Sequence, residues 1–462
     1  MPFILKKYYP ARNIFFFLGE GLIIFLAVNS VYFIFKGPEL YSEAVFLYWI
    51  RALLVTLIFQ LSLYFFDLYD LGGQVSGGEV VARVMQALGV GCVVLAFVYY
   101  FFPLIMISSQ VFWTGYGAIC ASILLWRFIY NKALDRKMFV QLVVILGAGK
   151  LASRIAAEIE GKRDSGYKIV SFIGQQPDPA CPVPEYIPLV IETGQLPLLC
   201  LTHKVEKVIV ALDDARGKTP VQELLQCKLQ GVTIENGVTF YEGLTGKILV
   251  ENVNPSWLIY SSGFKINRWA IFSKRFLDIV VSFVGLTLSF PATLISALII
   301  KLESPGTVFY KQERVGENGK VFKVVKFRSM RSDAEKDGPV WAMENDTRVT
   351  RYGNFMRKVR IDEIPQMWNV LKGEMSFVGP RPERPVFVEQ LTRTIPYYAL
   401  RHIVKPGITG WAQVCYPYGA SEEDALRKLE YDLYYIKNLS LRMDLWIIFQ
   451  TIKIVLFQKG AR

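Results

Sequence analysis

The sequence predicts a membrane protein: an α-helical transmembrane bundle followed by two α/β domains, the second anchored by a re-entrant membrane helix. Three observations lead there. Of 462 residues, 52% are hydrophobic and 14% aromatic, and mean hydropathy is +0.31, too apolar for a wholly soluble chain. Four apolar runs lie in the first third, each near the ~20 residues that cross a bilayer as a helix. Beyond them the pattern changes to short buried-strand runs alternating with helices, which is the signature of α/β architecture.

The four runs are Ile14–Phe35, Leu47–Phe66, Val84–Phe102 and Val111–Tyr130. The first carries no small-residue cleavage pattern and reads as a retained span rather than a signal peptide. Lys6, Lys7 and Arg12 precede it, while Arg127, Lys132, Arg136 and Lys137 close the fourth. The positive-inside rule therefore puts both ends of this unit, residues 1–137, in the cytoplasm, against the opposing votes of Lys36 and Arg51.

From Val140 the run VQLVVILGAG ends in glycines and KLASRIAAEIE continues as a helix. YKIVSFIG and VEKVIVAL follow as strands, so residues 138–250 read as a Rossmann-like domain with a parallel sheet. Gly147, Gly149 and Ala152 form a GxGxxA turn. The acidic residue that a dinucleotide needs at the tip of the second strand is missing, because that strand ends Phe172-Ile173-Gly174-Gln175. Leu151 after Lys150 excludes a P-loop. The domain reads as regulatory or scaffolding.

Residues 251–273 form a linker. A fifth apolar run, Ile279–Ile300, is flanked by Lys274, Arg275 and Lys301 and contains Pro291. Proline removes a helix hydrogen bond. Basic flanks on both sides favour a helix, about 275–302, that enters, breaks near Ser289-Phe290-Pro291 and returns to the same face, the freed backbone groups being satisfied by protein. The C-terminal run MDLWIIFQTIKIVLFQKGAR, with Lys453, Lys459 and Arg462, fits equally a membrane-interface helix or a cap on the preceding domain.

Net charge is +12 with a pI near 9.2. In so apolar a chain this balance points to membrane surface or phosphate, not to nucleic acid. The six cysteines (Cys92, Cys120, Cys181, Cys200, Cys227, Cys415) form no CxxC, so neither a disulfide frame nor a zinc site is expected. With only His203 and His402 available, carboxylates must carry any acid–base, nucleophilic or metal chemistry.

The candidate pair is Asp362 and Glu363, in MRKVRIDEIPQMWNVLKGEMSFVGPRPE. Pro365 is tolerated only in a helix's first turn, and Gly373 stops the helix, so the carboxylates sit at its N-terminus. Such residues are commonly caps. The surroundings argue for more. A helix N-terminus would keep Asp362 ionised and also favours a bound phosphate. A carboxylate beside a phosphate makes sense when it attacks the phosphorus and cations cancel the charge. Lys326 and Arg328 in VVKFRSM, Arg357, and Arg381 in GPRP supply those cations, arginine's fork matching phosphate oxygens in pairs.

The segment from Lys274 to the C-terminus resembles the catalytic domain of the bacterial sugar transferases, the polyprenyl-phosphate hexose-1-phosphate transferases. The matching pieces are KRFLDIV, SPGTVFYKQERVG, FKVVKFRSM, DTRVTRYGNFMRKVRIDEIPQMWNVLKGEMSFVGPRP and KPGITGWAQV. The N-terminal half is similar to the larger members, and LTGKILVENVNPSWLIYSSGF resembles the exopolysaccharide-associated branch. The resemblance implies that Asp362 is a nucleophile taking a sugar phosphate from a UDP-sugar with release of UMP. It implies that Glu363 helps to hold Mg²⁺ and that Lys326, Arg357 and Arg381 contact phosphates. The covalent phospho-sugar would pass to polyprenyl phosphate at the cytoplasmic face of the bacterial inner membrane, in a homodimer. Many members have Ser directly before the helix-breaking proline; here Ser289 stands one place earlier, before Phe290-Pro291.

Two other readings compete. An NAD-dependent nucleotide-sugar dehydratase or epimerase would need the missing acidic residue and a catalytic Tyr-x-x-x-Lys. That spacing occurs at Tyr32–Lys36, at the end of the first apolar run, and nowhere in the soluble part. A non-catalytic assembly scaffold would not need the cations around Asp362.

Overall fold

The structure is a computed structural model. It describes residues 3–4, 7–8, 11–69, 77–135, 140–162, 165–174, 183–212, 219–253, 263–264, 268–331, 348–417, 419 and 421–457. Lys6, Arg136, Lys137, Gln175, Cys181, Lys459 and Arg462, and most of the expected linker, lie outside these residues. The chain divides into two compact units, Tyr8–Phe240 and Tyr241–Arg462.

The first unit opens with α1 (Ala11–Glu43), α2 (Val45–Phe65), α3 (Gly77–Phe101) and α4 (Ser109–Asp135). Each is long and apolar enough to cross a membrane. In α1 the helical dihedrals lapse at Gly37 (φ 74°, ψ 164°), directly before Pro38 and just past the apolar run. Phe16, Ile24, Phe59, Leu63, Leu88 and Ile123 are fully buried between the helices, while Phe15, Phe46, Phe97 and Trp113 face outward. The charged pair inside the bundle is satisfied by its own members, as an apolar medium demands. Arg127 bonds Glu20 at 2.8 Å and donates to the Leu68 carbonyl at 2.8 Å.

The same unit contains a five-stranded parallel sheet of β1 (Gln141–Leu146), β2 (Tyr167–Ile173), β3 (Leu189–Val190), β4 (Lys207–Val210) and β5 (Thr233–Asn236), in the order β3-β2-β1-β4-β5. The order reverses at β1, making it the centre of a doubly wound sheet. Val143, Val144 and Ile145 are fully buried there, which is why this run reads as continuous rather than alternating hydrophobicity. Helices α5 (Lys150–Glu160), α6 (Leu196–Thr202) and α7 (Val221–Leu229) connect the strands. Gly147 turns β1 into α5 at φ 127°, and a side chain there would meet the Ala211 carbonyl at 2.3 Å, so only glycine fits.

The second unit carries α8 (Arg268–Glu303), the fifth helix long and apolar enough to span. It corrects one expectation. No break in the helix occurs at Ser289–Pro291: α8 is a single 36-residue helix with Pro291 inside it. Proline cannot donate to the Thr287 carbonyl and its ring crowds that carbonyl, yet the helix continues through it. On the preceding turn the Ser289 hydroxyl donates to the Leu286 carbonyl at 3.4 Å and Thr287 to that of Phe283 at 2.9 Å.

An antiparallel hairpin follows, β6 (Phe309–Val315) with β7 (Val321–Phe327), registered Phe309↔Phe327. Then come α9 (Arg351–Lys358), α10 (Gln366–Lys372) and the parallel pair β8 (Ser376–Val378) and β9 (Gly407–Thr409). Last are α11 (Glu422–Lys437), opened by a Ser421–Asp424 capping box, and α12 (Leu441–Phe457). Leu429, Leu433 and Tyr434 of α11 and Met443 and Ile447 of α12 share one core with Val378, Tyr398 and Trp411. The C-terminal helix therefore caps this domain with one face, leaving Leu445, Ile452 and Leu456 exposed on the other.

Candidate active site

Asp362 and Glu363 lie in a 3-10 turn, Ile361–Glu363, directly before Pro365 and α10. Arg360 enters this turn in the left-handed region (φ 56°), and Gly373 ends α10 at φ 86° as the spacing predicted. The turn is held in place from both sides. Asn369 on α10 accepts from the Val325 N–H at 3.0 Å and donates to the Lys323 carbonyl at 2.8 Å, fixing α10 against β7. Arg275 of α8 donates to the last carbonyls of α10, Val370 at 2.6 Å and Leu371 at 2.8 Å. Register along β7 then brings Lys326 to the pair.

The two carboxylates differ in their surroundings. Glu363 Oε1 receives both Lys326 at 3.0 Å and Arg381 at 2.7 Å, while Arg360 stands 3.7 Å from Oε2. Burial pushes Glu363 upward, but Arg381, Lys326 and Arg360 outweigh it and hold the carboxyl well below its usual range. Asp362 is also buried, and among the described residues no hydrogen bond or ion pair ends on its carboxylate. Burial first and the Glu363 charge second raise it to about 6, with Lys326, Arg357 and Arg381 pulling the other way. The helix N-terminus was expected to keep Asp362 ionised, and burial with the Glu363 charge works against it. The cations oppose that rise, and at neutral pH the group is predominantly the anion.

Lys326 and Arg381 are therefore at the pair, and Arg357 is close enough to act on Asp362 electrostatically while its Nε donates to Ser329 at 3.0 Å. Arg328 is not at the pair. Its two terminal nitrogens donate to the Pro305 carbonyl at 2.9 Å and to Ser304 at 2.7 Å, closing the end of α8. Expected among the phosphate contacts, it is engaged instead by the Ser304–Pro305 backbone. Arg360 is the cation that sequence reasoning left out of the set. Its only signal was its place three residues before Glu363, which is helical spacing.

Among the described residues no cluster of three His, Cys, Asp or Glu side chains could hold a metal ion. Mg²⁺ needs less: it takes oxygen donors, keeps several waters, and binds through one or two carboxylates plus substrate phosphates. The open Asp362 carboxylate and Glu363 Oε2 are such donors, so the site fits that ion.

A multi-pass membrane protein with a doubly wound α/β sheet, and with a buried acid pair ringed by cations beside an apolar helix, is thus defined. Residues 269–458 match the bacterial sugar transferase family, and residues 64–235 match a family described as a CoA-binding domain. The chain is 44% identical over 239 residues to a UDP-N-acetylgalactosamine-undecaprenyl-phosphate N-acetylgalactosaminephosphotransferase of Aeromonas hydrophila, covering 52% of this chain and 56% of that protein. It is 33% identical over 343 residues to an undecaprenyl-phosphate glucose phosphotransferase of Komagataeibacter xylinus, covering 72% and 62%. It is 43% identical over 188 residues to the exopolysaccharide production protein PSS of Rhizobium leguminosarum bv. phaseoli, covering 39% of this chain and 92% of that one. The alignments span 56% and 62% of the first two relatives' lengths. The chain belongs to the bacterial sugar transferase family.

Proposed function

We propose that this protein transfers a sugar 1-phosphate from a UDP-sugar to undecaprenyl phosphate, releasing UMP, as the initiating step of exopolysaccharide synthesis. The observation that carries the proposal is the asymmetry of the pair: Glu363 is held by Lys326 and Arg381, and Asp362 is left open and ionised. An Asp362 oxygen attacks the phosphorus bonded to the sugar, and the phosphoanhydride bond breaks with its electron pair leaving on UMP. An oxygen of the lipid phosphate then attacks the same phosphorus, and Asp362 departs as carboxylate. One phosphoanhydride is made for one broken, so positioning and charge neutralisation suffice and no histidine is required. Lys326, Arg357 and Arg381 receive the phosphate oxygens, and Arg360 adds a loosely held fourth cation. Mg²⁺, when bound at Asp362 and Glu363, supplies neutralisation of the diphosphate.

The catalytic portion is residues 274–462, on the cytoplasmic face of a bacterial inner membrane. Both ends of α8 touch this one domain: Arg275 at α10, and on the far side of Pro291, Ser296 with Tyr352 at 2.8 Å and Glu303 with the Tyr352 N–H at 3.0 Å. A helix crossing the bilayer would carry one end about 30 Å away, to the other side. The contacts support a helix that stays on one face, with Leu288, Phe290 and Leu298 exposed to lipid.

The test is the identity of the released nucleotide. Protein in nanodiscs with undecaprenyl phosphate, Mg²⁺ and a panel of UDP-sugars should release UMP, and the productive donor identifies the sugar. Release of UDP would mean that the sugar alone moves, and the nucleophile assignment would be wrong. In the same assay Glu363→Gln should fold and should need at least about tenfold more Mg²⁺ for half-maximal turnover. Full activity of that variant at limiting Mg²⁺ would remove Glu363 from the metal.

A further inference from the structure

Arg381 can pair with Glu363 only if the turn that carries it, Gly379–Glu383, is fixed. Two prolines in GPRPE cannot donate to a ladder, so the turn is secured through its carbonyls. Pro380 accepts from the Gly407 N–H at 2.9 Å, Pro382 from Arg314 at 3.1 Å, and Glu383 from the Val315 N–H at 2.9 Å. The carbonyl of Arg381 itself accepts from an Arg401 guanidinium nitrogen at 3.0 Å. That same nitrogen lies 2.8 Å from Asp432 on α11, and the other terminal nitrogen donates to the Tyr398 hydroxyl at 2.6 Å.

We propose that Arg401, braced by Asp432, is a positioning residue that sets the direction in which Arg381 leaves the backbone and so delivers its guanidinium to Glu363 and the phosphates. Arg401 is only 6% exposed and Asp432 2%, so neither reaches substrate. Their effect passes through the Arg381 main chain. Stability alone does not account for the pair. Buried ion pairs are often no better than well-packed apolar residues of the same size, and here the Arg401 Nε is buried with no partner among the described residues. What apolar residues could not supply is a donor to the Arg381 carbonyl. The planar fork serves three acceptors at once in fixed directions, which lysine's single ammonium cannot reproduce.

The inference rests on Asp362, Glu363 and Arg381 forming the transfer site. The experiment compares Arg401→Met/Asp432→Leu, which deletes both charges together, with wild type in nanodiscs, reading initial UMP release and thermal unfolding. The expected result is a kcat lower by about 10- to 100-fold, the scale of a small misplacement of a catalytic group, at an unfolding temperature close to wild type. Adding Arg381→Ala should lower kcat no further than Arg381→Ala alone, because both changes remove the same interaction. A folded variant with wild-type kcat, or losses that multiply with Arg381→Ala, would overturn the inference. Should the double variant not fold, Arg401→Lys, which keeps a charge opposite Asp432, carries the same comparison with the same expected loss. Wild-type protein that released no UMP would fail the transfer reading itself, whereas active wild type with indifferent variants would fail this inference alone.

Discussion

Asp362→Asn is expected to fold normally and to lose turnover by on the order of 10⁴- to 10⁶-fold, the scale at which removal of a catalytic nucleophile is felt. The substitution is nearly isosteric. Because no ion pair ends on the Asp362 carboxylate among the described residues, none is broken by the change. What disappears is the negative oxygen. An amide cannot attack phosphorus and leave again as a stable anion, so the two-step route closes at its first step. The cations around the site persist, so the UDP-sugar should still bind. Lacking one negative charge, the variant should bind it, without Mg²⁺, as tightly as wild type or more so. Two measurements check this: intact mass after rapid quenching, where wild type gains a hexose phosphate and the variant gains nothing, and donor affinity by calorimetry. Residual turnover within tenfold of wild type would show that phosphoryl transfer goes directly between substrates.

The contrast between the two carboxylates was not legible in the sequence, although the pair itself was. Pro365 and Gly373 bracket a short helix by rules that act within one turn, and the structure has that helix. Likewise the buried runs of β1, β2 and β4 and the Gly147 turn depend on local pattern, and the parallel sheet follows from it. Partners of charged side chains depend instead on closure over long separations. Lys326 meets Glu363 across 37 positions and Arg381 meets it across 18. Arg328 illustrates the limit. Sequence reasoning grouped Lys326 and Arg328 because both are cations in VVKFRSM, and positions two apart on a strand share a face. However, the Arg328 N–H extends the hairpin by one rung to the Val308 carbonyl at 2.9 Å, and its side chain is taken up by the Ser304 and Pro305 carbonyls at the end of α8. The proline in α8 misled for a related reason. It removes one donor and crowds the carbonyl four residues back, and the helix nonetheless runs through it.

Lys274→Met should produce a large loss of stability without touching the site. Lys274 stands at the start of α8 and donates to the Val378 carbonyl at 2.8 Å, the Tyr435 hydroxyl at 2.9 Å and Asp444 at 3.0 Å. Four residues on, Asp278 accepts from Ser376 at 2.9 Å and the Phe377 N–H at 2.8 Å. One turn of the membrane helix thus grips β8, α11 and α12 together, and between its two anchors Arg275 grips α10. Asp444 is almost fully buried, and burial already raises its pKa, with Lys274 as the main opposing influence. Removing the lysine leaves that carboxyl without its cation, a change that costs about 3–5 kcal/mol when one partner of a buried pair is lost. Adding Asp444→Asn should recover part of the loss, because no charge is then left unpaired. Thermal unfolding of the two variants in nanodiscs measures both effects. A Lys274→Met protein as stable as wild type would mean that α8 is held to the domain by its apolar face alone. The pair of variants also separates anchorage from chemistry. Because Arg275 and Lys274 grip the elements that carry Asp362 and Arg381, the proposed transfer predicts that loosening this turn of α8 slows the step to the lipid phosphate more than release of UMP in the first step.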